Sequence, residues 1–277
     1  MNIEMLRENN PELIKQYAYD EIKYIENLTG KPVDIVIVKK IKNGSDGLTK
    51  IARPSMEKTI IYVKESVMKF INHLILHECG HIRRIFSVEE NERVNLSTTL
   101  DTYTWSKLNK VFKEIARIGI PENNIPKVFN MYINGITSQV FNTIPDIRIE
   151  NRIYEEYEQN RAEQKAYLNY LLKVTEEVLS EKATKHSPET ILEISLALNF
   201  LLLDKLKKII GTRVLNLYKK NPLAKKGYNK IKNTFIKEDL GYKQDIELTE
   251  NILKEFDINF VRWTDFNRVY PGYENDY

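Results

Sequence analysis

The stretch His77-Glu78-Cys79-Gly80-His81 holds the residues whose types and spacing most directly specify chemistry. Two histidines four positions apart share one face of a helix, with Cβ atoms about 5–6 Å apart, so both imidazoles can bind one ion. Glu78, adjacent to His77, can take a proton from a water activated at that ion. Zn²⁺ suits such a pair, and it calls for a third protein ligand and an open fourth position. The apolar run before His77 and the small, uncharged Cys79 and Gly80 favour this over a core helix with two satisfied histidines. His73, one turn earlier, extends the row. It stands two turns from His81, about 12 Å of rise, too far to share one ion, and is read as a supporting or solvent-facing residue.

The third ligand has to come from elsewhere. Asn142, Asp146 and Glu150 recur every four residues, so a helix aligns them on one face. Ile144, Ile147 and Ile149 make that segment partly buried, where a carboxylate is costly unless paired or metal-bound. Pro145 fits a first helical turn with Asn142 or Thr143 near the cap, which predicts a helix starting there. Asp146 and Glu150 are both candidate zinc ligands on this evidence.

The elements that must position these groups follow from periodicity. Residues 11–28 carry a helical apolar stripe closed by Gly30. Residues 32–38, 48–53 and 58–63 read as strands, with a turn cluster at 43–47, and the motif helix spans about 65–84. From residue 87 onward the chain reads as almost wholly helical, with segments near 96–118, 125–141, 146–179, 188–210 and 248–256. The charges within 154–173, Glu163 among them, read as the solvated face of a long helix. The tail from Trp263 to Tyr277 reads either as a docked extension or as a frayed end. The predicted fold class is α+β: an N-terminal helix, a small sheet and the His-Glu-x-x-His helix over residues 1–158, then a mainly helical region over 159–277.

This order of elements and these motifs resemble a zincin metallopeptidase of the gluzincin type, in which a distant helix carries one acidic ligand and a second acid one turn later. Residues 142–150 are similar to the Asn-x-x-Glu-Asp-x-Arg-x-Glu sequence of phage and von Willebrand A-linked metallopeptidases, with Pro145 in place of the first acid. Carried over by position, the resemblance implies Asp146 as ligand and Glu150 as the acid orienting a histidine; the reverse stays open because Glu reaches further. It also implies hydrolysis of peptide bonds in a peptide or protein substrate, with Glu78 as general base and a strand beside the cleft that pairs with the substrate, here Thr59–Val63. Tyr154 and Tyr157 are candidates for stabilising an oxyanion.

Composition narrows the setting. With 277 residues, 29% charged and 42% hydrophobic, the chain is long enough for a real core and is neither fibrous nor disordered. The near-balanced charge of +3 does not mark a nucleic-acid binder, and the lysine- and tyrosine-bearing stretch 205–237 reads as ordinary surface. A single cysteine, Cys79, excludes a disulfide framework and reads as a buried packing residue. The N-terminus lacks a signal-peptide apolar core, and residues 194–203 are far too short for a membrane span, so the expected location is cytoplasmic. Two other readings remain at this stage: a zincin-fold binding module without catalysis, and a nucleic-acid-associated protein using 205–237.

Overall fold

The computed structural model describes residues 12–41, 44–99 and 105–268. The N-terminal segment, position 43 of the turn cluster and the tail beyond 268 lie outside them. The fold is α+β, with a three-stranded sheet, a two-stranded sheet and a large helical part. The chain forms two compact units, one drawing on residues up to Val94, on Ile149–Tyr167 and on residues from Asp265, the other on Asn95–Arg148 and Leu168–Thr264.

In the first unit, helix α1 (Gln16–Thr29) buries Ala18, Ile22 and Ile25. It stops at Gly30, whose φ of 65° is the left-handed conformation that lets its amide return to the Glu26 carbonyl. Strands β1 (Val33–Val38), β2 (Gly47–Lys50) and β3 (Thr59–Lys64) form a sheet in the order β1-β3-β2. β3 runs parallel to β1 and antiparallel to β2. The strand expected to receive substrate, Thr59–Val63, is therefore the central one, and neighbours occupy both of its edges. Burial explains that position, since Ile61, Tyr62 and Val63 are all buried, as a strand covered on both faces requires.

A 3₁₀ segment, Glu65–Phe70, leads from β3 into helix α2 (Ile71–Ile85), which carries the motif. The first turn expected as α-helix is thus 3₁₀. Further along the chain, α4 (Ile125–Glu156) contributes Ile149 and Ile153, which pack with Leu76 in one small cluster. Helix α5 begins at Arg161 (Arg161–Glu177) after a 3₁₀ turn, so the helix expected over 146–179 is broken at Tyr157–Asn160.

The second unit holds a two-stranded sheet of β4 (Val94–Thr98) and β5 (Val261–Asp265) and the remaining helices. These are α3 (Leu108–Arg117), most of α4, α6 (Glu181–His186), α7 (Glu189–Lys205), α8 (Lys207–Ile210), α9 (Arg213–Lys220), α10 (Pro222–Ile231) and α11 (Tyr242–Glu255). Residues 94–98 are a strand where helical spacing predicted the start of a helix, and the start of the expected tail belongs to β5. Both strands alternate apolar and polar residues, Val94-Asn95-Leu96-Ser97 and Val261-Arg262-Trp263-Thr264, but runs this short are easily absorbed into a neighbouring helical pattern.

The larger correction concerns α4. Pro145 lies inside a continuous 32-residue helix rather than at its start. A proline there removes one backbone hydrogen bond and costs about 3 kcal/mol. Ile133, Ile136, Val140, Ile144 and Ile147 sit in one core cluster on both sides of it, and burying each such side chain is worth roughly 1.5–3 kcal/mol, so packing outweighs local propensity. In the lysine-rich stretch, Lys226 and Lys230 hold Glu193 at 2.7 and 2.6 Å, while Lys205 and Lys207 flank Asp204. No helix among the described residues is long and apolar enough to cross a membrane.

Glu21 of α1 ties three parts of the first unit together. Buried to 4% exposure, it accepts from Arg83 of α2 at 2.8 Å, from Arg152 of α4 at 3.1 Å and from the Tyr157 hydroxyl at 2.6 Å. Burial alone would raise its pKa, but Tyr157, Arg152 and Arg83 together hold it below the usual carboxylate range. Removing one partner of a buried ion pair costs roughly 3–5 kcal/mol. Both arginines reach solvent in part, so Glu21→Gln is expected to cost about 2–3 kcal/mol at pH 7 by denaturant titration. Because the folded-state pKa lies below the unfolded one, the ionised carboxylate's contribution is fully present above about pH 5 and is lost as pH falls further. The gap between wild type and Glu21→Gln should therefore narrow on acidification; a gap independent of pH would rule out this account.

Candidate metal centre

Helix α2 is buried nearly all round in its first half, so its histidines have little freedom. The Nε2 atoms of His77 and His81 face each other at 3.2 Å. Two imidazoles bound to one tetrahedral zinc, with Zn–N of about 2.0–2.1 Å, place their nitrogens about 3.3 Å apart. Either a proton or a cation must lie between two such nitrogens. Glu150 of α4, 2.8 Å from His77 Nδ1, favours the cation, because it keeps that ring's proton on the outer nitrogen. Two imidazoles with a carboxylate as third donor suit zinc. His77 and His81 are only partly buried, which leaves them reachable by an ion.

Asp146 and Glu150 stand one turn apart on the uninterrupted helix α4 and are placed differently. Glu150 is 2% exposed, and its Oε1 lies 2.8 Å from His77 Nδ1, the ring nitrogen turned away from His81. Gln164 of α5 donates to its other oxygen at 2.7 Å and to its backbone carbonyl at 2.8 Å. Burial would raise the Glu150 pKa, but His73 and His77 beside it hold it far below the usual carboxylate range. An ionised acid on Nδ1 keeps the proton there and leaves Nε2 with its lone pair for a metal. Glu150 thus holds the His77 ring from behind, and Asp146, one turn earlier on α4, is half-buried, as is Asn142 one turn before that.

Glu78 is 8% exposed and turned toward the sheet. Thr49 of β2 donates its hydroxyl to Oε2 at 2.7 Å. A Cβ built on Gly47 would stand 2.6 Å from Oε1, so the strand can come this close to the carboxylate only with glycine there. Among the described residues β2 is, like β1, an edge strand of the sheet. The Lys64 amide bonds the Asp46 carbonyl at 2.9 Å, and antiparallel pairs alternate, so the backbone groups of Gly47 and Thr49 point away from β3, toward the open edge.

The remaining expectations fall as follows. His73 is fully buried rather than solvent-facing, with Nε2 3.3 Å from Glu150 Oε1. Cys79 is fully buried, and burial first of all pushes its thiol well above the ordinary value, leaving a packing residue. The Tyr157 hydroxyl is committed to Glu21, and the Tyr154 ring lies under the Arg161 guanidinium. Glu163, expected on a solvated face, instead accepts the His73 amide at 2.9 Å in the first turn of α2, where helix amides lack partners. Thr49, Gly47, Gln164, Asn160 and Glu163 are site residues that spacing did not disclose, since each acts through contacts distant in sequence.

Comparison of the chain with family models, with curated proteins and with solved structures returned no match in any of the three.

Gly80 fixes the distance between α2 and α4. A Cβ there would lie 2.7 and 2.9 Å from the two γ-carbons of Ile149, a β-branched side chain with little room to turn. Gly80→Ala gains about 1 kcal/mol of helix propensity but loses roughly 1–3 kcal/mol to overpacking. It is expected to weaken zinc binding about tenfold in a competition titration, by moving His77 off Glu150, with recovery in Gly80→Ala/Ile149→Ala. Wild-type affinity in the single variant would show that this spacing is not critical.

Proposed function

We propose that the chain is a zinc-dependent metallopeptidase in which His77, His81 and Asp146 hold the ion and Glu78 is the general base. The observation that carries this reading is the convergence of two histidine Nε2 atoms at 3.2 Å, while Glu150 claims the outer nitrogen of His77 and leaves Asp146, one turn earlier on the same helix, as the third donor. When bound, zinc supplies Lewis acidity toward a water and a scissile carbonyl. Glu78 accepts the proton of the attacking water and later passes it to the leaving amine. Thr49 holds one oxygen of that carboxylate and Gly47 lets the strand lie against the other, which limits where the base can point. An extended peptide laid along β2 meets outward backbone groups at Gly47 and Thr49, beside the base, and a peptide or protein substrate is the class such an edge selects. The edge strand β2 thus takes the role first given to Thr59–Val63. A cytoplasmic setting accords with a lone, buried cysteine.

Elemental analysis of the purified chain is expected to find about one zinc per molecule, lost in His77→Ala and His81→Ala. In a competition titration Asp146→Ala should lose more affinity than Glu150→Ala, which should fall by about 10–100-fold. Full occupancy in both histidine variants would end the metal reading, and a greater loss in Glu150→Ala would exchange the two acids.

Glu78→Gln should keep fold and zinc yet lower hydrolysis of a peptide library by about 10²–10⁴-fold, since an amide cannot accept the proton. Equal turnover by variant and wild type would assign the base to another group. Zinc binding without hydrolysis in either protein would replace the peptidase by a metal-bearing binding module.

A further inference from the structure

Behind the ligand histidines runs a chain of buried polar groups that the proposed mechanism does not use. The Tyr17 hydroxyl donates to Asn160 Oδ1 at 3.1 Å, Asn160 Nδ2 lies 3.3 Å from His73 Nδ1, and His73 Nε2 lies 3.3 Å from Glu150 Oε1. Glu150 Oε1 then meets His77 Nδ1 at 2.8 Å. Asn160 and His73 are both fully buried, so water does not reach the contact between them.

We propose that His73 is a positioning residue of the metal centre: at the middle of a one-way relay from Tyr17, it tethers the Glu150 carboxylate on His77 Nδ1 and so fixes which His77 nitrogen faces the ion. The inference rests on the reading of His77 as a metal ligand.

The direction of the relay follows from the donors and acceptors present. Tyr17 is a donor throughout the usable pH range, because burial and the Glu163 charge push its hydroxyl up to about 12. Its bond to Oδ1 turns the Asn160 amide nitrogen toward His73 Nδ1, which must then be the acceptor. This leaves a ring proton on Nε2, 3.3 Å from Glu150 Oε1 but outside hydrogen-bond geometry. The flipped amide would put the proton on Nδ1 and aim a ring lone pair at a buried carboxylate, which is repulsive. Gln164 holds the other Glu150 oxygen, so His73 and His77 share Oε1 between them. The 3.3 Å contact lies outside hydrogen-bond geometry, unlike the 2.8 Å one, so His73 limits rotation of the carboxylate by the attraction of its ring N–H to that charge, while His77 makes the bond.

The test uses the full chain loaded with zinc and labelled with ¹⁵N at its four histidines. His73 is expected as the Nε2–H tautomer and His77 as the Nδ1–H tautomer by long-range ¹H–¹⁵N correlation. A proton on His73 Nδ1, alone or with one on Nε2, overturns the proposal. His73→Phe keeps the ring beside Tyr167, 5.0 Å away, and loses the donor. It should bind zinc about tenfold more weakly in a competition titration, whereas His73→Gln, which returns an N–H near the Nε2 position, should come within about threefold of wild type. Wild-type affinity in His73→Phe, or equal loss in both variants, overturns the proposal. Should His73→Phe fail to fold, Tyr17→Phe removes only one hydroxyl at the head of the relay; it is expected to shift the His73 ring nitrogens, and unchanged resonances overturn the proposal. A wild-type chain that binds no zinc overturns the metal reading itself and this inference with it, whereas failure of the His73 variants alone leaves that reading standing.

Discussion

The contact of Gly80 with Ile149 is the constraint on which the site depends. The motif helix and the acid-bearing helix meet where one residue has no side chain and the other is stiff, and the γ-carbons of Ile149 take the place a Cβ would fill. Glu150 follows Ile149 directly, so this contact brings its carboxylate to His77 Nδ1. A glycine inside a helix costs about 1 kcal/mol against alanine. Here that cost is offset by a histidine held at its outer nitrogen, and through it by an inner nitrogen aimed at His81.

A helix can be placed correctly and still point its side chains wrongly if it turns about its axis. Three buried or half-buried acids from three elements prevent this in α2. Glu163 accepts an amide in the first turn, where the helix dipole favours negative charge. Glu150 holds the middle through His77 and His73. Glu21 holds the last turn through Arg83, at the end where a cation is favoured. Each acid lies far from α2 in sequence, so the aim of the histidines is set by tertiary structure and not by the helix alone.

What could be read from the residues divides along the same line. That His77 and His81 share one face of a helix was legible because helical spacing is local, and the β-branched run at 59–63 was legible as a strand for the same reason. The order of the sheet was not, because a central and an edge strand differ in their partners, and β2 is short and shows no strong pattern. Pro145 misled because a breaker was weighed without the five isoleucine and valine side chains around it that keep the helix whole. Glu163 and Gln164 sat within a charged run that reads as surface, and only the packing of α5 against α2 and α4 turns them inward. Asp146 and Glu150 were found as a pair by their four-residue spacing, but the hold of Glu150 on His77 is a contact that spacing does not contain.

Those contacts also separate the work of the two glutamates, Glu78 and Glu150. Glu150 accepts from His77 and Gln164 and lies 3.3 Å from His73 Nε2 in a fully covered position, and it is held far below the usual carboxylate range. Such a group can orient a ring, but a water to be deprotonated does not reach it. Glu78 is held by one hydroxyl, that of Thr49, and its other oxygen lies against a glycine. A carboxylate has about four acceptor positions, so this environment leaves Glu78 able to take a proton from a water beside it. On the proposed reading, the difference in hydrogen-bond saturation assigns the base, and the glycine and threonine of the edge strand aim it. The same strand offers its outward backbone groups to a peptide, so substrate alignment and orientation of the base depend on one short element.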